Sequence, residues 1–152
     1  MQKISPMLWF DTEAEDAANF YASVFKDSKI KTIHRYPDAG QEVTGKAAGS
    51  VLTVLFELNG QDFTALNGGP QFKFSEAISF VITCEDQAEI DYYWEKLTSV
   101  PEAEACGWLK DKFGVSWQVV PKDIDGLIQS PKAMEAMLKM KKLVIADLKN
   151  AK

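Results

Sequence analysis

The feature that most limits what this chain can fold into is an internal repeat. Residues 4–24 and 78–98 read as two copies of one strand-then-helix unit. A shift of 74 residues sets Ile4-Ser5 on Ile78-Ser79, Ala14-Glu15 on Ala88-Glu89 and Phe20 on Trp94. It also sets Asp11-Thr12 on Glu85-Asp86, an acidic helix start in both copies. Each copy is followed, after a gap, by a hairpin. A duplication of this kind predicts a function placed in the cleft between or inside the repeats.

In the first copy, Ile4–Phe10 is short, apolar and bounded by Asp11, which predicts a strand. Thr12-Glu13-Ala14-Glu15 reads as a capping box with Thr12 as N-cap. Ala17, Phe20, Tyr21 and Val24 then form an apolar stripe at helical spacing, carrying the helix to about Phe25. Ile30–Tyr36 reads as a strand stopped by Pro37-Asp38-Ala39-Gly40, and the glycine-rich, polar stretch Gly40–Gly49 reads as a mobile loop. Val51–Leu58 and Gln61–Leu66 flank Asn59-Gly60, the strongest short hairpin signal a sequence offers.

The second copy follows the same plan. Ile78–Thr83 is a strand, Asp86 caps a helix with stripe Ile90, Tyr93, Trp94 and Leu97, and a hairpin turns through Asp111-Lys112-Phe113-Gly114 into Val115–Val120. One further short strand is expected within Ala103–Cys106. The order is therefore β-α-β-β-β twice, an α+β fold of two modules over residues 1–70 and 71–122. A C-terminal helical extension covers 123–152, with Ser130-Pro131 as N-cap and first helical residue.

Composition narrows the function. With 46% hydrophobic and 26% charged residues, the chain can build an ordinary globular core, and no apolar run approaches the length of a membrane span. The start, Met-Gln-Lys-Ile-Ser-Pro, carries no apolar export segment, so the cytoplasm is expected. Net charge is −5 and the only arginine is Arg35, which argues against binding a phosphate backbone and so against a nucleic-acid partner. Cys84 and Cys106 form no CxxC pair and read as small buried thiols.

Six segments look familiar: 4–11 (ISPMLWFD), 19–25 (NFYASVF), 65–70 (ALNGGP), 76–81 (EAISFV), 106–121 (CGWLKDKFGVSWQVVP) and 137–142 (MLKMKK). Together with the paired βαβββ plan they resemble the PhnB-like branch of the vicinal oxygen chelate superfamily. That superfamily includes glyoxalase I, extradiol dioxygenases and bleomycin-resistance proteins. The resemblance implies curved mixed sheets and a homodimer. It also implies a pocket in which active members hold a divalent metal on His and Glu from the first and last strands of the modules. The matching positions here are Pro6, Phe80, Thr64 and Gln118, a set with no side chain suited to Zn²⁺, Mn²⁺ or Fe²⁺. No metal and no cofactor are therefore expected.

Members of this branch are often labelled demethylubiquinone methyltransferase-like. A methyltransferase of the common kind needs a glycine-rich strand-to-helix loop around S-adenosylmethionine. Gly68-Gly69 and the 40–49 loop are not followed by a helix in that way.

Other chemistry is thin. His34, the only histidine, reads as a strand histidine beside Arg35; Ser116 has no base partner in the sequence; and Asp11, Glu13, Glu15 and Asp16 read as charges complementing a helix dipole. If Pro6 and Phe80 face the pocket, alternation puts Leu8, Phe10 and Ile82 there too, with Thr64 and Leu66, and Ser116 and Gln118. Trp9 and Trp117 would then lie beneath the helices, with Asn67 at the rim and Trp108 and Tyr36 at the mouth.

The expected function is binding of a small molecule in an apolar pocket formed by Leu8, Phe10, Thr64, Asn67, Phe80, Trp108, Ser116 and Gln118. Two alternatives stand beside it. One is a metal-dependent lyase, dioxygenase or transferase that brings His34, Asp11 or Glu13 together. The other is an interaction module that uses the methionine-rich tail, Met134, Met137 and Met140.

Overall fold

The computed structural model describes residues 2–38, 40 and 44–151. It divides into two compact units, Met1–Lys73 and Phe74–Lys152. In the first, β1 (Met7–Phe10) leads through α1 (Ala14–Val24) to β2 (Lys29–Arg35), β3 (Val51–Leu58) and β4 (Gln61–Asn67). The sheet order is β1-β4-β3-β2, with β1 parallel to β4 and the other neighbours antiparallel. Asn59 and Gly60 both take positive φ, 49° and 83°, the backbone that a two-residue turn needs to match strand twist.

One face of this sheet is buried under α1. Val54, Phe56, Phe63 and Ala65 lie on it with Leu8 and Phe10, all buried. Tyr21 from the helix stacks on Phe56 at 6.3 Å, and Phe56 stacks on Phe63 at 5.5 Å. Aromatic pairs of this kind add to what area burial alone supplies.

The start of α1 differs from the expected capping box. The helix begins at Ala14, after Glu13, and Thr12 does not cap it. Asn67 does so from the far end of β4: its Oδ1 accepts the Ala14 N–H at 2.8 Å and its Nδ2 donates to the Val51 carbonyl at 3.1 Å. A side chain 53 residues away satisfies the helix end that Thr12 was expected to satisfy. Residues 41–43 of the expected 40–49 loop lie outside the described residues.

The second unit holds β5 (Ser79–Cys84), α2 (Gln87–Leu97), β6 (Trp108–Lys110) and β7 (Ser116–Pro121), in the sheet order β5-β7-β6. Asp86 caps α2 as expected, its carboxylate accepting the Glu89 N–H at 2.9 Å. Buried Asp111 ties the β6–β7 turn together. It accepts from the Phe113 and Val115 amides at 2.8 and 3.0 Å and from the Trp117 indole at 2.8 Å.

The strand expected within Ala103–Cys106 is not among the described elements. A short 3-10 turn, Pro101–Ala103, and a single bridge between Ala105 and Trp108 stand in its place. The left-handed pair Cys106 and Gly107 (φ 54° and 87°) turns the chain before pairing can extend.

The C-terminal extension forms three short helices, α3 (Ile124–Leu127), α4 (Pro131–Leu138) and α5 (Ile145–Asn150). Ser130 caps α4, as its sequence predicts. The carbonyls of Met140 and Lys141 accept the Cys106 and Gly107 amides, each at 2.8 Å. Gln87 of α2 then clasps the chain before α5, donating to the Leu143 carbonyl at 3.0 Å and accepting the Ile145 amide at 2.8 Å. Leu143 and Leu148 are fully buried. No helix among the described residues is long and apolar enough to cross a membrane.

Candidate functional site

Each sheet has a helix-covered face and an open face, and strand register assigns every candidate residue to one of them. In the first unit Leu8 pairs with Ala65 and Phe10 with Asn67, all on the face under α1. Met7 pairs with Thr64 and Trp9 with Leu66, on the open face. In the second unit Phe80 pairs with Trp117 and their rings lie 5.4 Å apart, on the face under α2 with buried Ile82, Leu109 and Val119. Ser79 and Val81 fall on the open face beside Ser116 and Gln118, with Lys110 and Trp108 across β7.

The expected group therefore separates. Thr64 lies on the open face of the first sheet, and Trp108, Ser116 and Gln118 on that of the second. Leu8, Phe10, Asn67 and Phe80 lie on the helix-covered faces and serve core packing or, for Asn67, capping. Trp117 packs beneath its helix as expected, whereas Trp9 faces the other way. Its ring meets Phe72 edge-on at 4.8 Å and its Nε1 donates to the Gly69 carbonyl at 2.9 Å. A Cβ on Gly68 would fall inside that ring, so this close approach requires glycine.

What alternation missed is which apolar side chains line these open faces. Met7 is 59% exposed, Val81 56% and Phe72 64%. Met7 and Val81 are repeat-equivalent, as are Ile4 and Ile78, which are also exposed. The signal was the 74-residue repeat itself, which sets these pairs in register.

Polar groups sit among them. Gln118 Nε2 donates to Ser79 Oγ at 3.0 Å, and Lys110 pairs with Glu76. The ammonium beside it, more than any other cause, holds the Glu76 carboxyl below its usual range. Ser116 Oγ is fully buried and is the one buried side-chain oxygen or nitrogen among the described residues that lacks a hydrogen-bond partner. Burial pushes the Cys84 thiol up to about 12, helped by the charges of Glu89 and Asp86. Cys106, unlike Cys84, is half-buried, and its thiol donates to the Leu138 carbonyl at 3.6 Å.

The first-strand residues beside Thr64 and Gln118 are Met7 and Val81, one residue on from Pro6 and Phe80. A thioether, a hydroxyl, a carboxamide and an isopropyl group do not make a divalent-metal site. Among the described residues no group of three or more His, Cys, Asp or Glu could hold a metal ion. His34 is exposed on β2. The turns from strand to helix, Asp11-Thr12-Glu13 and Glu85-Asp86, are acidic and lack glycine, so they do not fit the cradle by which backbone amides hold S-adenosylmethionine.

A separate cavity of about 420 Å³ opens where β1 meets α1, bordered by Asp11, Glu15, Asp16, Lys46 and Asn67. Of the expected pocket residues only Asn67 reaches it. Its carboxylates complement the helix terminus.

Duplicated strand–helix–sheet units with open, curved sheets define a class of small α+β proteins. The particular family follows from comparison. A model of the 3-demethylubiquinone-9 3-methyltransferase family matches residues 2–120. The PhnB protein of Bacillus cereus, named for that same methyltransferase, is 39% identical, with a TM-score of 0.65 over 79% of this chain and 99% of its own. A protein of Staphylococcus aureus is 31% identical over 78% of this chain and 95% of its own, with a TM-score of 0.36. One from Pseudomonas aeruginosa shares the fold at 16% identity, with a TM-score of 0.59 over 80% of this chain and 98% of its own. No curated protein matches the chain. This chain belongs to the 3-demethylubiquinone-9 3-methyltransferase family, with the PhnB protein among its members. The matched region ends before α3, so the three C-terminal helices lie outside it.

Proposed function

We propose that this protein binds a small organic molecule against the open faces of its sheets. Thr64 in the first unit or Gln118 in the second orients the ligand by a hydrogen bond, and neither a metal nor a nucleotide-derived cofactor takes part. The observation that carries this reading is the exposure of Met7 and Val81 at equivalent positions of the two repeats, each beside a neutral polar side chain. Apolar surface with a few hydrogen-bonding groups is what small-ligand sites use. The methyltransferase named for the Bacillus cereus relative needs a methyl donor, and the acidic strand-to-helix turns offer it no cradle. The protein acts as a cytoplasmic homodimer, a reading supported by the family and by the exposed Ile4 and Ile78.

The test is a native mass spectrum of gently purified protein set beside its denatured mass. An organic adduct that disappears on denaturation is the expected result, and Gln118→Ala and Val81→Asp should each reduce its occupancy. One divalent metal per chain, removed by chelator with loss of the adduct, would overturn the metal-free reading.

A further inference from the structure

On the open face of the second sheet, register sets three polar side chains side by side: Lys110 on β6, Ser116 on β7 and Ser79 on β5. Neighbouring strands lie about 4.8 Å apart, so the three form one short polar row. The next row along the same face is Trp108, Gln118 and Val81. The polar row thus borders an aromatic and an apolar side chain, joined through the Gln118–Ser79 hydrogen bond of 3.0 Å.

Two observations point to a ligand group on this row. Ser116 Oγ is buried without a partner, although a buried hydroxyl left unpaired destabilises a fold. Among the described residues its neighbour Lys110 pairs its positive charge with Glu76 alone, whose side chain is 62% exposed. An ion pair with so exposed a partner is weak and readily exchanged. A carboxylate arriving on this face would replace Glu76 on the ammonium and, with Lys110 shifted toward it, accept the Ser116 O–H.

We infer that the open face of the second sheet is an anion-accepting subsite. Ser116 and Lys110 hold the carboxylate of a small organic acid, and its apolar or aromatic body lies over Trp108 and Val81. This names the ligand class of the face assigned above and rests on that assignment. The binding is non-covalent, and the displaced Glu76 carboxylate returns to solvent.

Benzoate and its neutral analogue benzamide are the probes, titrated calorimetrically into the full-length protein. Benzoate is expected to bind saturably and about tenfold or more tightly than benzamide, the range for a charge-assisted hydrogen bond. Lys110→Met should erase that preference and leave benzamide binding as it was. Ser116→Ala should weaken benzoate alone. This variant removes an unpaired group, so its melting temperature should hold or rise, which separates loss of binding from loss of fold. Equal binding of the two probes, both weakened by Trp108→Ala, would overturn the subsite and leave the apolar face standing. Unchanged benzoate affinity in Ser116→Ala would also overturn it, with the hydroxyl then satisfied by water. Failure of both probes to bind at millimolar concentration would overturn the subsite and the face together.

Discussion

Asn67 and Cys84 show how single side chains act far beyond their own strands. Asn67 joins the end of β4 to the start of α1 and to β3 through two hydrogen bonds, the first buried and the second part-buried. Asn67→Ala should lower stability by about 1–2 kcal/mol, the cost of a lost cap together with an orphaned backbone group. Denaturant unfolding measures it, and Thr12→Ala should change little by comparison. Cys84 is predicted to be inert. With its pKa near 12, about one thiol in ten thousand is ionised at pH 8, so alkylation of the folded protein should modify Cys106 first. The same shift has a pH signature. An unfolded chain releases the Cys84 proton near 9, whereas the folded chain keeps it to about 12. Between those values the folded state binds more protons. The stabilisation is complete below pH 9 and is lost as pH rises toward 12. Melts from pH 8 to 10.5 should fall more steeply for the parent than for Cys84→Ala.

At the scale of elements, the C-terminal extension is the part that family likeness does not cover. Its Met140 and Lys141 carbonyls take the amides of Cys106 and Gly107 beside the short edge strand β6. An unpaired sheet edge invites pairing with other chains, and here a loop covers part of it. Leu148→Ala should cost about 2–4 kcal/mol, the usual range for a buried leucine, because α5 has no other fully buried side chain to hold it. Gln87→Ala should detach the same segment more mildly, seen as faster amide exchange at Ile145 without unfolding of α2. The hairpin of β3 and β4, the Asp86 and Ser130 caps and both helix stripes were legible in sequence, since each is set by neighbours within a few residues. The missing strand was not, because its competitor, the tail, lies more than 30 residues away in sequence.

For the whole molecule, charge and exposed apolar surface decide the company it keeps. With a net charge of −5 and one arginine, it should not retard duplex DNA at physiological salt. The exposed Ile4 and Ile78, at equivalent positions of the repeats, predict self-association, measured by light scattering as twice the 17.0 kDa chain mass. Ile4→Glu together with Ile78→Glu should shift that mass toward one chain.

The sequence by itself determined the repeat, the order of most elements and the family, because these reside in local periodicity, turn chemistry and matched segments. Only the tertiary structure decided which face of each first strand looks outward. Met7-Leu8-Trp9-Phe10 is apolar at every position, and a strand without polar alternation carries no mark of its buried side, whereas in Ser79–Cys84 only the hydroxyls of Ser79 and Thr83 hint at the open face. Pairing with β4 and β7 settles that choice. It turns Leu8, Phe10 and Phe80 under the helices, leaves Met7, Trp9 and Val81 on the open faces, and places Thr64, Gln118 and the buried Ser116 on those same faces.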